Sequence, residues 1–260
     1  MSSAGLTALE LLRPPGFSAR RDLQVSDQWW TDLCLYLQAP VGALGSIGWP
    51  MVLLPEVVDR RFRLAEDSLQ TYHRVTWGAE MPTTSFTLDG RVAWVSCRNS
   101  SLELGLATRA LAGETELGSS LLVARATGTA ESWGDRDVPG LPDVGTLSRR
   151  RSMVIDEHQV RRFAELAGTR YPIHDDLHYA WQKGYPNVLV QALVLVIIQL
   201  HVAGAGPSGA VEMWFRRAVP AGSLLELCRS DDDPCLWAFR LVATGEVAAV
   251  ARLANDGSVN

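Results

Sequence analysis

Residues 188–202 read VLVQALVLVIIQLHV, with no acidic residue, lysine or arginine and with only Gln191, Gln199 and His201 as polar members. A segment this apolar on every face must be covered all round. A bilayer span needs about 20 such residues, so this shorter run reads as a helix buried inside the fold. A sheet curved around it supplies the cover.

The rest of the sequence offers that sheet. Apolar alternation and β-branched residues predict strands over Thr71–Trp77, Arg91–Cys97, Ser119–Ala130, Ala210–Arg217, Leu224–Cys228, Leu236–Ala243 and Val247–Leu253, with turns at Gly222 and Asp231–Pro234. A Pro/Gly/Asp-rich stretch, Gly134–Gly145, reads as a linker near the middle of the chain. Gly48-Trp49-Pro50-Met51-Val52-Leu53-Leu54 before it resembles Gly184-Tyr185-Pro186-Asn187-Val188-Leu189-Val190 after it. A capped helix precedes each. Ser26 opens one, with Trp30, Leu33 and Leu37 at helical spacing. Asp156 opens the other, with Gln159 completing a capping box and Val160, Phe163, Ala164 and Ala167 on one face. The matching order of elements points to duplication and to an α+β arrangement.

Composition removes several classes of function. The net charge of −5 argues against a nucleic-acid partner. Hydrophobic residues at 47% and charged ones at 20% argue against disorder. Cys34, Cys97, Cys228 and Cys235 form no C-x-x-C pair and too sparse a set for a disulfide framework. Glu10 interrupts the first apolar stretch and no basic segment precedes it, so no signal peptide or membrane partner is expected and the cytoplasm is the expected compartment. Lys183 is the only lysine and so the only candidate for Schiff-base chemistry. The arginine skew is that of a GC-rich genome such as an actinomycete's. Nine tryptophans suit large cores and a wide apolar pocket.

The segment Phe163–Asp176 (FAELAGTRYPIHDD), with Ala180 and Gly184-Tyr185 after it, resembles the MaoC-like, or R-specific enoyl-CoA hydratase, motif of the hot-dog superfamily. Gly168, Pro172, Ile173, His174, Asp176, Ala180 and Gly184 carry the match. Gly184–Val190 resembles the double hot-dog branch more closely still, and Arg217–Leu225 (RAVPAGSLL) resembles a later strand of it; together the motifs span about Met153–Leu225. The resemblance implies a double hot-dog: two tandem repeats, each an antiparallel sheet wrapped around a central α-helix. Residues 1–147 would be a degenerate repeat that shapes the pocket, and 148–260 the repeat that carries the site. Further association into a homodimer is compatible with it.

The resemblance also implies a site in which an Asp and a His on a loop handle water and a proton. The N-terminus of the central helix would aim N–H groups at a thioester carbonyl. This sequence departs from that pattern: Thr169 stands at the Asp position, Tyr171 at the Asn position, and Gln191-Ala192 at the His-Gly pair. The catalytic candidates are therefore His174, Tyr171, Thr169 and Gln191. Ala192, Gly184, Tyr185 and Asn187 are the candidates for oxyanion and substrate binding. The expected partner is an acyl-CoA or acyl carrier protein thioester, with no metal and no cofactor.

Loss of the carboxylate disfavours a hydratase, which needs acid and base across Cα and Cβ. The expected activity is thus an acyl-CoA thioesterase acting on a bulky acyl group, in keeping with secondary-metabolite biosynthesis. The alternatives are an altered enoyl-CoA hydratase or 3-hydroxyacyl dehydratase, and a non-catalytic thioester-binding partner.

Other patterns carry plainer readings beside sharper ones. His174 and His178 have metal-ligand spacing, but Pro172 puts His174 at a helix start. Asp175 and Asp176 read as first-turn acids or as catalytic carboxylates. Gly204-Ala-Gly-Pro-Ser-Gly209 fits G-x-G-x-x-G but follows a helical pattern and contains Pro207. Arg149–Arg151 reads as a solvated patch or a CoA-phosphate contact. No G-x-S-x-G elbow occurs.

Overall fold

The computed structural model describes residues 18–24, 69–78, 85–127, 130–167, 170–203 and 208–255. Ten strands form one antiparallel sheet: β1 (Ser18–Gln24), β2 (Leu69–Trp77), β3 (Ser85–Arg98), β4 (Ser101–Ala112), β5 (Thr115–Thr127), β6 (Leu147–Val154), β7 (Gly209–Phe215), β8 (Leu224–Ser230), β9 (Leu236–Leu241) and β10 (Val247–Asn255). Their spatial order is β1-β3-β4-β5-β2-β7-β10-β9-β8-β6. Each run of five strands follows the same order from edge to centre: first, third, fourth, fifth, second. The two runs meet where β2 pairs with β7, from Tyr72 against Trp214 to Trp77 against Gly209.

Four helices lie between β6 and β7: α1 (Glu157–Ala167), α2 (Pro172–Asp175), α3 (Leu177–Gln182) and α4 (Ala192–Ala203). The capping box forms as the sequence predicts. Asp156 Oδ1 accepts the Gln159 N–H at 2.7 Å, and Gln159 Oε1 accepts the Asp156 N–H at 3.0 Å. Val160, Phe163 and Ala164 are fully buried. Val194, Leu195, Val196 and Ile197 of α4 join one core cluster with Val75 and Trp77 of β2, Val211 and Met213 of β7, and Phe239 of β9. An all-round apolar helix is thus buried, as expected.

The helix is shorter than the apolar run. Val188–Val190 are buried but extended, because their backbone is bonded elsewhere. The Leu189 N–H donates to Ile173 O, the Val190 N–H to Val219 O, and Val188 O accepts the Ala221 N–H, all within 2.8–2.9 Å. Leu189 forms a β-bridge with Pro220. Helix begins only once these partners end.

Three strands lie outside the sequence expectation: β1, β4 and β6. The last contains Arg149–Arg151 and is an edge strand, where exposed charge discourages further pairing. Gly134–Gly145 contains neither strand nor helix, and the expected division at 147 falls on the first residue of β6. The expected helix after Ser26, the Gly48–Leu54 motif, Cys34, Gly168 and Thr169 lie outside the described residues. Of the described tryptophans, Trp77, Trp94, Trp214 and Trp237 are buried, whereas Trp181 is 57% exposed. Among the described residues no helix is long and apolar enough to cross a membrane.

Candidate active site around His174

Tyr171 is the extended residue before α2, and Pro172 sits in its first turn, where a missing N–H costs nothing. That short turn holds His174, whose Nδ1 lies 2.7 Å from Leu189 O. A carbonyl can only accept, so Nδ1 carries the hydrogen. Burial holds the imidazole pKa down to about 4 against the upward pull of the same carbonyl. At neutral pH the ring is uncharged, and Nε2 keeps its lone pair. The Tyr171 ring meets the His174 ring edge-on, with centroids 6.2 Å apart.

Leu189 is three residues before Ala192, at most about 11 Å of extended chain. His174 is therefore tied to the strand that leads into α4. The first N–H groups of a helix have no partner within it, and Ala192, the first residue of α4, is half-buried.

Gln191 is only 4% exposed, and its Nε2 donates to Val160 O of α1 at 3.1 Å. Its carbonyl accepts the Val194 N–H at 3.0 Å, starting α4. Its side chain thus faces α1 and fixes where the helix begins. Asn187 bridges the loop to Ala221: Nδ2 donates to Ala221 O at 3.2 Å and Oδ1 accepts the Val188 N–H at 2.8 Å.

Gly184 ends α3 with φ of +85°. Its N–H donates to Trp181 O and the Tyr185 N–H to Ala180 O, the hydrogen-bond pair of a Schellman ending. Gly184 and Tyr185 therefore set the path from α3 to Asn187. Exposed Trp181 donates from Nε1 to Pro186 O at 3.1 Å, bracing the same loop.

The acidic candidates resolve differently. Asp176 caps α3, its Oδ1 accepting the N–H groups of His178 and Tyr179 at 2.8 and 3.1 Å. His178 Nε2 lies 2.9 Å from Gln182 Nε2 rather than beside His174. Among the described residues no three His, Cys, Asp or Glu side chains gather to hold a metal. Arg149 pairs with Glu226, at 3.5 Å, which also binds Arg240.

No family model matches the sequence, and no curated protein matches it. Solved structures do. A Mycobacterium tuberculosis protein described as having a double hotdog fold superposes with a TM-score of 0.57 at 11% identity, covering 94% of this chain and 92% of that one. HtdX of the same organism superposes at 0.74 and 14% identity, covering 91% and 99%.

This chain has a double hot-dog fold. A MaoC-like dehydratase from Phytophthora capsici superposes on it with a TM-score of 0.69 at 12% identity, covering 98% of this chain and 100% of that one. Within this fold the sequence motif placed His174, Gly184 and Asn187 in the one segment that runs from α2 through α3 to the start of α4. It could not show the two backbone carbonyls, Leu189 O and Val160 O, that orient His174 and Gln191, because any residue type supplies a carbonyl.

Proposed function

We propose that this protein binds an acyl thioester of CoA or of acyl carrier protein and hydrolyses it in the second half of the chain. The observation that carries this reading is the His174–Leu189 hydrogen bond. It leaves one neutral ring with one free base nitrogen, and no carboxylate is bonded to that ring among the described residues. Such a site suits activation of one water. A hydratase needs a proton donor and a proton acceptor across two carbons, and positioned acid–base groups typically contribute 10²–10⁴-fold each.

In the proposed step His174 Nε2 takes a proton from water as the water oxygen bonds to the thioester carbon. The carbonyl oxygen gathers negative charge opposite the N-terminus of α4, where the Ala192 N–H and the helix dipole favour it. The C–S bond then breaks, and the proton on His174 goes to the departing sulfur. The products are a free acid and a free thiol. Tyr171 lines the ring of His174, Gln191 positions the helix start, and Asn187, Gly184 and Tyr185 hold the loop. Thr169, which lies outside the described residues, stays a catalytic candidate from the sequence alone. We assign the two five-strand runs to two tandem repeats, the first of which shapes a pocket for a bulky acyl group.

The second reading is hydration of an enoyl thioester or dehydration of a 3-hydroxyacyl thioester, favoured by the likeness to the MaoC-like dehydratase. A thiol-reactive dye and mass spectrometry over saturated, enoyl and 3-hydroxyacyl-CoAs separate the two. Hydrolysis releases thiol and acid; hydration leaves the thioester intact and changes its mass by one water. A compound that binds and does not turn over would support a purely binding protein.

A further inference from the structure

Strand register lines up Arg74, Leu121, Ala107 and Arg91 in one row across β2, β5, β4 and β3, and Thr76, Ser119, Arg109 and Asp89 in the next. Directly paired residues share a face of a sheet, and successive residues on a strand alternate between faces. Val75 and Trp77 pack into the core that contains α4. Arg74 and Thr76, with their rows, therefore point the other way. The short side chains of Ala107, Ser119 and Thr76 leave a low floor there. Arg74, Arg91 and Arg109 stand around it, and the cleft they line measures about 290 Å³.

The Gly134–Gly145 stretch crosses this face as a strap. It is fixed on both sides of its acidic part: Trp133 bridges to Val95 through two hydrogen bonds of 2.9 Å, and Pro139 O accepts the Trp214 Nε1 hydrogen at 3.1 Å. Between these anchors Asp135 and Asp137 line the cleft. Asp137, its side chain 75% exposed, binds Arg74 at 3.1 Å, and Asp89 binds Arg109 at 2.8 Å. Ion pairs this open to water contribute about 0–1 kcal/mol each, so either yields readily to a stronger partner. Among the described residues no carboxylate pairs with Arg91. Thr76 Oγ1 and Ser119 Oγ lie 2.7 Å apart. If Thr76 donates in that contact, the Ser119 hydrogen is left for a ligand oxygen.

The three guanidinium groups come from the sheet, and the two lining carboxylates come from the strap. A monocarboxylate ligand would only replace Asp137 like for like. A phosphate monoester carries about −1.5 to −2 charges at pH 7 and three acceptor oxygens, and guanidinium groups bind phosphate through parallel pairs of hydrogen bonds. We propose that this cleft binds phosphate, free or as a small monoester, on the sheet face turned away from α4. Arg91, Arg109 and the Thr76–Ser119 hydroxyls hold its oxygens, and Arg74 exchanges Asp137 for it. Small-molecule sites measure about 300–1,000 Å³, so a cleft of this size suits a phosphate on a short body. The site does not rest on the acyl-thioester reading, and neither stands or falls with the other.

The test is calorimetry on the full chain at low ionic strength, with inorganic phosphate, glycerol 3-phosphate and acetate as probes. At least one of the two phosphates binds and acetate does not; the tighter phosphate tells whether the ligand carries a body. Arg91→Gln weakens binding about tenfold, the equivalent of about 1.4 kcal/mol, and leaves the melting temperature in place, because no ion pair is lost. Asp137→Asn acts the opposite way and tightens binding about two- to fivefold, since it removes the competitor for Arg74. Affinity rises with pH through about 6, where the monoester loses its second proton while the arginines stay charged. Absence of binding by both phosphates would overturn the proposal. So would binding that Arg91→Gln leaves unchanged, or acetate that binds as tightly as phosphate. Weaker binding in Asp137→Asn would overturn it too, because Asp137 would then be positioning Arg74 rather than competing for it.

Discussion

His174 Nδ1 stands 2.7 Å from Leu189 O, and that single bond decides which nitrogen of the ring holds the proton. It leaves Nε2 as a base beside the chain that enters α4. Replacing His174 with Ala should lower turnover by about 10²–10⁴-fold, the range for a positioned base. The melting temperature should move only slightly, since a single hydrogen bond is lost. Rate and thermal denaturation on one preparation check this.

Ala192→Pro addresses the other half of the site. Proline is well tolerated at the first position of a helix, and it lacks an N–H. The variant should fold with α4 intact and lose about 10²–10³ in turnover, as when one oxyanion donor is removed. An unchanged rate with unchanged helix content would mean that the α4 terminus does not meet the carbonyl.

The pH dependence has a definite sign. His73 and His174 titrate near 4 in the folded protein against an ordinary 6.5, both through burial. Between those values the unfolded chain binds protons that the folded chain refuses, so stability falls as pH drops through that window and levels off below it. Melting temperatures from pH 7 to pH 4 should show the fall, and His73→Phe should flatten part of it. Turnover, which needs neutral His174, should hold below pH 6 for as long as the protein stays folded.

Much of this arrangement could be read from residue types, and the remainder depends on partners that residue types do not reveal. The capping box at Asp156 and Gln159 is a local pattern and formed as read. The buried helix was legible because no face of it is polar. Its start was not, since Val188–Val190 are held extended by Ile173 O, Val219 O and the Ala221 N–H, which are distant in sequence. Strand β4 was legible too, because Leu102, Leu104 and Leu106 alternate and are all buried, yet the expectation did not include it; Gly105 lies under the Trp94 ring, where no larger residue fits. Gln191 looks chemical from its place in the motif, yet its Nε2 donates to Val160 O and its Oε1 is buried without a partner.

Gly184→Ala tests the loop itself. The φ of +85° is unfavourable for alanine, while an added methyl would touch nothing within 4 Å. The cost should therefore be backbone strain of about 1 kcal/mol, read by chemical denaturation. Turnover should fall with it, because Gly184 sets the path toward Asn187 and Leu189.

Hydrolysis at His174 is tested most directly by single turnover of an acyl-CoA in ¹⁸O-labelled water, followed by mass spectrometry. The wild-type protein should release free CoA and an acid carrying one ¹⁸O in its carboxyl group, and the His174→Ala protein should release almost none. Label found instead on the acyl chain of an intact thioester would contradict the account and establish hydration as the reaction.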